Sequence, residues 1–163
     1  MRLNLSYLFL WSLLGCHLGT GNNRFERISK LPSFKILSIN SNTCINSESI
    51  HTGQPTVFIY FDPTCEHCQH ETEGIIANIL NLKQARIYLI ANDTSNTVDS
   101  FYATNRLDTI KNIFVGKDYN YSFYRVFLPQ AVPYIAIYNA KNKLVKLYSG
   151  EANIKYIIDA TRD

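Results

Sequence analysis

The sequence has no runs of lysine and arginine. Its 16 basic residues are scattered among 13 acidic ones, for a formal net charge of +3. A surface that tracks a phosphate backbone needs clustered positive charge, so nucleic acid is set aside as a partner. An apolar run long enough to cross a bilayer is also missing. A spanning helix needs roughly 20 apolar residues, whereas the N-terminal run from Leu5 to Leu14 is preceded by Asn4, interrupted at Ser6 and followed after Leu18 by a polar tract. Internal repeats and low-complexity tracts are absent from the rest of the chain, which leaves hydrophobic periodicity to be read directly. The 163 residues suffice for one domain with a real core and are too few for two.

The N-terminus has the grammar of an export signal. Arg2 supplies a positive start, Leu5 to Leu14 an apolar stretch, and small Gly15 precedes Cys16. The run Leu13-Leu14-Gly15-Cys16 resembles the lipobox of bacterial lipoproteins, in which the cysteine is lipidated and becomes the first mature residue. That resemblance implies a signal peptide over residues 1–15, a lipidated tether over 16–30 and a folded domain over 31–163. It also implies an envelope protein held by acyl chains in an oxidising, periplasm-facing compartment. His17 stands where aspartate commonly favours inner-membrane retention, a weak lean toward the outer membrane. An uncleaved anchor with an incidental cysteine is the competing reading.

Along the expected domain, Phe34 to Ile39 and a segment at Cys44-Ile45 read as a short hairpin around Asn40-Ser41-Asn42. Thr56 to Phe61 is a continuous apolar and aromatic run, suited to a strand covered on both faces. It stops at Asp62-Pro63, and from Glu66 the pattern turns helical, with Ile75, Ile76, Ile79 and Leu80 at the offsets of one face. Arg86 to Ala91 is a strand, and Asn92-Asp93-Thr94-Ser95 opens a second helix. Asn112 to Val115 reads as a strand, Tyr119 to Phe127 as a helix, Tyr134 to Tyr138 and Leu144 to Tyr148 as paired strands. A last helix carries Ile154, Ile157 and Ile158. This order predicts an α/β domain, a central mixed sheet flanked by helices with an N-terminal β-hairpin.

The chemistry centres on Cys65-Glu66-His67-Cys68. A C-x-x-C between a buried strand and a helix puts the first thiol at the positive helix end, where the dipole and free N–H groups stabilise a thiolate. The second thiol, one turn in, can attack a mixed disulfide formed by the first, so the pair exchanges electrons with a protein disulfide without any cofactor. Cys65 is thus the candidate nucleophile and Cys68 the resolving cysteine. A protonated His67 would favour the thiolate and Glu66 would oppose it. Zinc held by Cys65, Cys68 and His70 is a rival reading, but no second C-x-x-C or H-x-x-x-H pair follows to complete the site. A structural disulfide is another. Haem attachment fails because Gln69, not histidine, follows Cys68.

The segment from Thr56 through Cys65 and Cys68 to Glu71, with Leu31-Pro32-Ser33-Phe34 before it and Val132-Pro133 after it, resembles the TlpA/ResA-like, redoxin-type thioredoxin family. The resemblance implies a thioredoxin-like fold and an extracytoplasmic thiol–disulfide oxidoreductase, often a reductant, that acts on protein dithiols and disulfides and is recharged by a membrane electron donor. It matches Pro133 to a cis-proline that presents the backbone of Val132 to the dithiol. Glu71 matches a glutamate that handles the proton of the buried cysteine. Glu71 also falls on one helical stripe with Cys68, Ile75 and Ile79, where burial would raise its pKa, although a solvated glutamate in the first turns is the plain alternative.

Two departures stand out. Thr64 replaces the tryptophan usual before the first cysteine, and His67 a common proline. A peroxiredoxin is disfavoured because Asp62, not threonine, lies three residues before Cys65. Cys44 has no partner if Cys16 is lipidated and Cys65 pairs with Cys68, and its apolar hairpin suggests a buried thiol. His51 and His70 are expected on solvated surfaces. The rival class is a non-enzymatic binding or assembly lipoprotein in which the cysteines only staple the helix start.

Overall fold

A computed structural model describes residues 23–92 and 96–162. Seven strands form one sheet in the order β2-β1-β5-β4-β3-β6-β7: β1 (Lys35–Ser38), β2 (Cys44–Asn46), β3 (Thr56–Phe61), β4 (Arg86–Ala91), β5 (Ile113–Lys117), β6 (Tyr134–Tyr138) and β7 (Leu144–Ser149). Strands β3, β4 and β5 run parallel, while β6, β7 and β1 pair antiparallel with their neighbours. The expected mixed sheet with an N-terminal hairpin is therefore what forms.

Both sheet faces are covered, which explains the unbroken apolar run in β3. Val57, Ile59 and Phe61 meet Ile75 of α2 (Glu66–Ala77), Val98 and Phe101 of α3 (Thr97–Thr104) and Ile157 of α5 (Ile154–Ala160). The alternate residues Phe58 and Tyr60 join Phe34 and, from α4 (Ser122–Phe127), Phe123 and Phe127 on the opposite face. That second core is aromatic. Phe34 stands edge-on to Phe58 at 5.2 Å and to Phe123 at 5.1 Å, and Tyr60 stacks on Phe123 at 5.2 Å, arrangements that favour ring pairs beyond the area they bury.

Three expectations need correction. Part of the expected tether is folded: α1 (Asn23–Ile28) packs on the aromatic core, Ile28 is fully buried and its carbonyl accepts from the Tyr138 hydroxyl at 2.9 Å. The apolar residue Ile28 within this polar stretch is what docks it. Helix α2 ends at Ala77, so Ile79 falls in a following 3-10 turn (Ile79–Leu82) and Leu80 is exposed. Cys44 is exposed rather than buried, because β2 is an edge strand of three residues. The expected signal and Cys16, and Asp93, Thr94 and Ser95 of the second helix opening, lie outside the described residues.

Candidate active site

The loop from β3 to α2 is shaped by its own side chains. Asp62 Oδ1 accepts from the Thr64 backbone N–H at 2.8 Å and from its hydroxyl at 2.7 Å, and the Asp62 carbonyl accepts from Cys65 N at 3.1 Å. This turn, with buried Pro63 inside it, delivers Cys65 as the N-cap of α2, in extended backbone conformation and half-buried. Cys68 is 1 % exposed. The two thiols are free. One is open to a partner and the other is held beneath it.

Burial pushes the Cys68 thiol up to about 12, so at neutral pH it is a thiol that must lose a proton before it can attack. Glu71 lies on the same buried stripe, 4 % exposed. Burial lifts its carboxyl to about 7; the Ala152 N–H opposes that shift, and Glu151 adds to it. The Ala152 bond is short, 2.7 Å to Glu71 Oε2. A carboxyl that titrates near neutrality can take and return a proton.

The cis-proline expectation has its counterpart in the geometry. The Val132-Pro133 peptide is cis. Tyr60 of β3 pairs with Tyr134 of β6, so the residues before Tyr134 flank the end of β3 from which the Cys65 loop departs. Val132 and Cys65 pack against the same core cluster, and Val132 also reaches the aromatic one. Glu66 and His67 are exposed on the first turn of α2, and His67 Nδ1 lies 3.1 Å from Glu151 Oε2. His51 and His70 are exposed.

Comparison with solved structures decides the architecture. A secreted Mycobacterium tuberculosis disulfide oxidoreductase homologous to E. coli DsbE superposes with a TM-score of 0.66 at 16% identity, over 84% of this chain and 97% of its own. The fold is that of thioredoxin. A candidate thioredoxin from Neisseria meningitidis gives 0.66 at 20% identity over 81% and 89%. An exposed lipoprotein thioredoxin of Streptococcus pneumoniae gives 0.62 at 14% over 80% and 98%. No family model and no curated relative matches by sequence.

Within the thioredoxin fold, the structure brings together Cys65, Cys68, Glu71, Val132 and Pro133 at one end of the sheet. Sequence reasoning missed Glu151 and Ala152, which reach this end from the turn between β7 and α5. Their spacing from Cys68 holds no local signal, because the contact is made only when α5 packs on α2.

Proposed function

We propose that the chain is an extracytoplasmic thiol–disulfide oxidoreductase, working as a reductant of protein disulfides. The observation that carries this reading is the pairing of a half-exposed Cys65 at the start of a 12-residue helix with a buried Cys68 one turn in. The Cys65 thiolate attacks one sulfur of a substrate disulfide, forms a mixed disulfide and releases the other sulfur as a thiolate. Cys68, deprotonated by Glu71, then attacks Cys65 and expels the second substrate thiolate. Two electrons have passed to the substrate, and the protein is left with a Cys65–Cys68 disulfide that a membrane dithiol donor reduces again. No cofactor enters the cycle. Val132, before the cis-proline, would hold the substrate backbone against the dithiol. Cys16 would anchor the protein to the envelope by its acyl chains, with the outer membrane weakly favoured over the inner.

Insulin reduction with dithiothreitol as donor tests the reading. Wild type is expected to accelerate precipitation of insulin chains, Cys65→Ser to abolish the effect, and Cys68→Ser to accumulate a mixed disulfide. A reduction potential near thioredoxin's, about −270 mV, supports the reductant direction, and one near DsbA's, about −120 mV, opposes it. Absence of turnover in wild type, with no trapped adduct in Cys68→Ser, would leave the binding-module reading.

A further inference from the structure

On the sheet face opposite α2, at the same end as the dithiol, a cleft of about 370 Å³ opens between Tyr60, Asn92, Tyr121, Tyr124, Val132 and the loop 129–131. Its volume is at the small end of ligand sites, which run from roughly 300 to 1,000 Å³, so it admits a side chain and its flanking backbone, not a folded domain. Three tyrosine rings wall it. Tyr121 and Tyr124 are 53% and 45% exposed, although aromatic residues of this size usually find cover. Among the described residues, no charged side chain lines it.

A second observation comes from a polar atom. Asn92 Oδ1 is buried and has no hydrogen-bond partner among the described residues, and its residue lines the cleft. A buried acceptor left unmet is destabilising, and a donor brought by an occupant would remove that cost. Asp118 lies beneath, 1 % exposed, and both its oxygens accept from backbone N–H groups of α4. Burial first, and the Asp118 carboxylate next, push the Tyr60 phenol up, which keeps that group a neutral donor.

Val132 ties the cleft to the redox site. It is a wall of the cleft and, like Cys65, also packs against the core cluster on the other face of the sheet. An occupant of the cleft is therefore continuous with whatever lies along the backbone at Val132.

We infer that this tyrosine cleft is a specificity pocket for the protein whose disulfide is exchanged, taking an uncharged aromatic side chain near the reacting cysteine and a backbone N–H that donates to Asn92 Oδ1. The inference rests on the dithiol reading for its biological meaning. Its test does not need turnover.

Short peptides carrying serine in place of the substrate cysteine, with phenylalanine or alanine at each flanking position in turn, are titrated calorimetrically into the reduced full chain. At one position the phenylalanine peptide should bind roughly three- to tenfold tighter than its alanine counterpart, the range expected for an aromatic pair. Tyr124→Ala, which truncates an exposed ring, should erase that advantage and Tyr124→Phe should keep it, whereas Asn92→Ala, which removes the acceptor of a backbone N–H, should weaken both peptides alike. Equal affinity of both peptides for wild type, an advantage that survives Tyr124→Ala, or affinities that Asn92→Ala leaves unchanged would overturn the pocket. Failure of wild type to reduce glutathione disulfide in a parallel assay would strike the dithiol reading and leave the binding result standing on its own.

Discussion

Glu71 is an ionisable group placed where water does not reach it, and its effects on catalysis and on stability run in opposite directions. Its carboxyl titrates at about 7 in the folded protein against 4.5 for an ordinary glutamate. The folded chain therefore holds a proton that the unfolded chain has released between those two values, and stability falls as pH rises through this window and is level above it. The loss amounts to about 3 kcal/mol, at 1.36 kcal/mol per pKa unit. Glu71→Gln keeps the shape and an acceptor for the Ala152 N–H while removing the titration. The variant should be more stable than wild type at pH 8 and little different at pH 4, as read by urea unfolding at both. Its exchange should suffer at neutral pH, because Cys68 at about 12 then loses the carboxyl on its own stripe that titrates near neutrality, while the charge of Asp62 beside it only opposes its ionisation. Slower resolution of the mixed disulfide, with Cys65 alkylation little changed, is the expected pattern. Unchanged Cys68 titration and unchanged turnover from pH 6 to 9 would return Glu71 to a purely structural role.

At the scale of elements, α4 shows how one buried carboxylate shapes a surface. The helix is six residues long and its first turn has no cap from the residue before it, since Tyr121 sits in the left-handed region and makes no side-chain cap bond. Asp118 does the capping from further back, accepting from Phe123 N at 3.1 Å and Tyr124 N at 2.9 Å. Asp118→Ala strips one buried and one part-buried N–H group of their acceptor and should cost about 1–3 kcal/mol, with Asp118→Asn losing less. Unfolding midpoints in urea measure both, and an alanine variant as stable as wild type would show that α4 needs no such cap. The elements that were legible in the sequence are those set by local pattern: β3 from its apolar run, α2 from the change of period after Pro63, β6 and β7 from their tight polar turn. Elements set by distant partners were not. Residues 23–30 look like tether until the groove that receives Ile28 exists, and Cys44 looks buried until β2 turns out to be an edge. The candidate site divides the same way. Cys65 and Cys68 announce themselves by spacing and Pro133 through the family resemblance, whereas Asn92, Glu151 and Ala152 gain meaning only from chain crossings.

For the whole molecule, the direction of α1 links the proposed anchor to the proposed chemistry. The Arg24 side chain donates to the carbonyls of Phe127 and Leu128 and lies 3.5 Å from the Tyr134 hydroxyl. Tyr134 pairs with Tyr60 at the dithiol end of β3, whereas Tyr138, which holds the Ile28 carbonyl, pairs with Thr56 at the other end. The helix thus starts at the dithiol end of the sheet and runs away from it. An extended chain covers at most about 3.6 Å per residue, so an acylated Cys16 would keep the start of α1 within about 25 Å of the bilayer. The dithiol end would then face the membrane, next to a membrane-bound electron donor. Protein extracted from membranes should carry an acylated Cys16 as its first residue, and Cys16→Ser should remain unacylated. In a Cys44→Ser background, a bulky polymer maleimide should label Cys65 more slowly on vesicle-anchored protein than on the unanchored variant. A flexible glycine-serine insertion before Asn23 should restore the faster rate. Residues 1–15 intact on the exported protein would remove the anchor, and equal labelling rates in all three forms would remove the orientation.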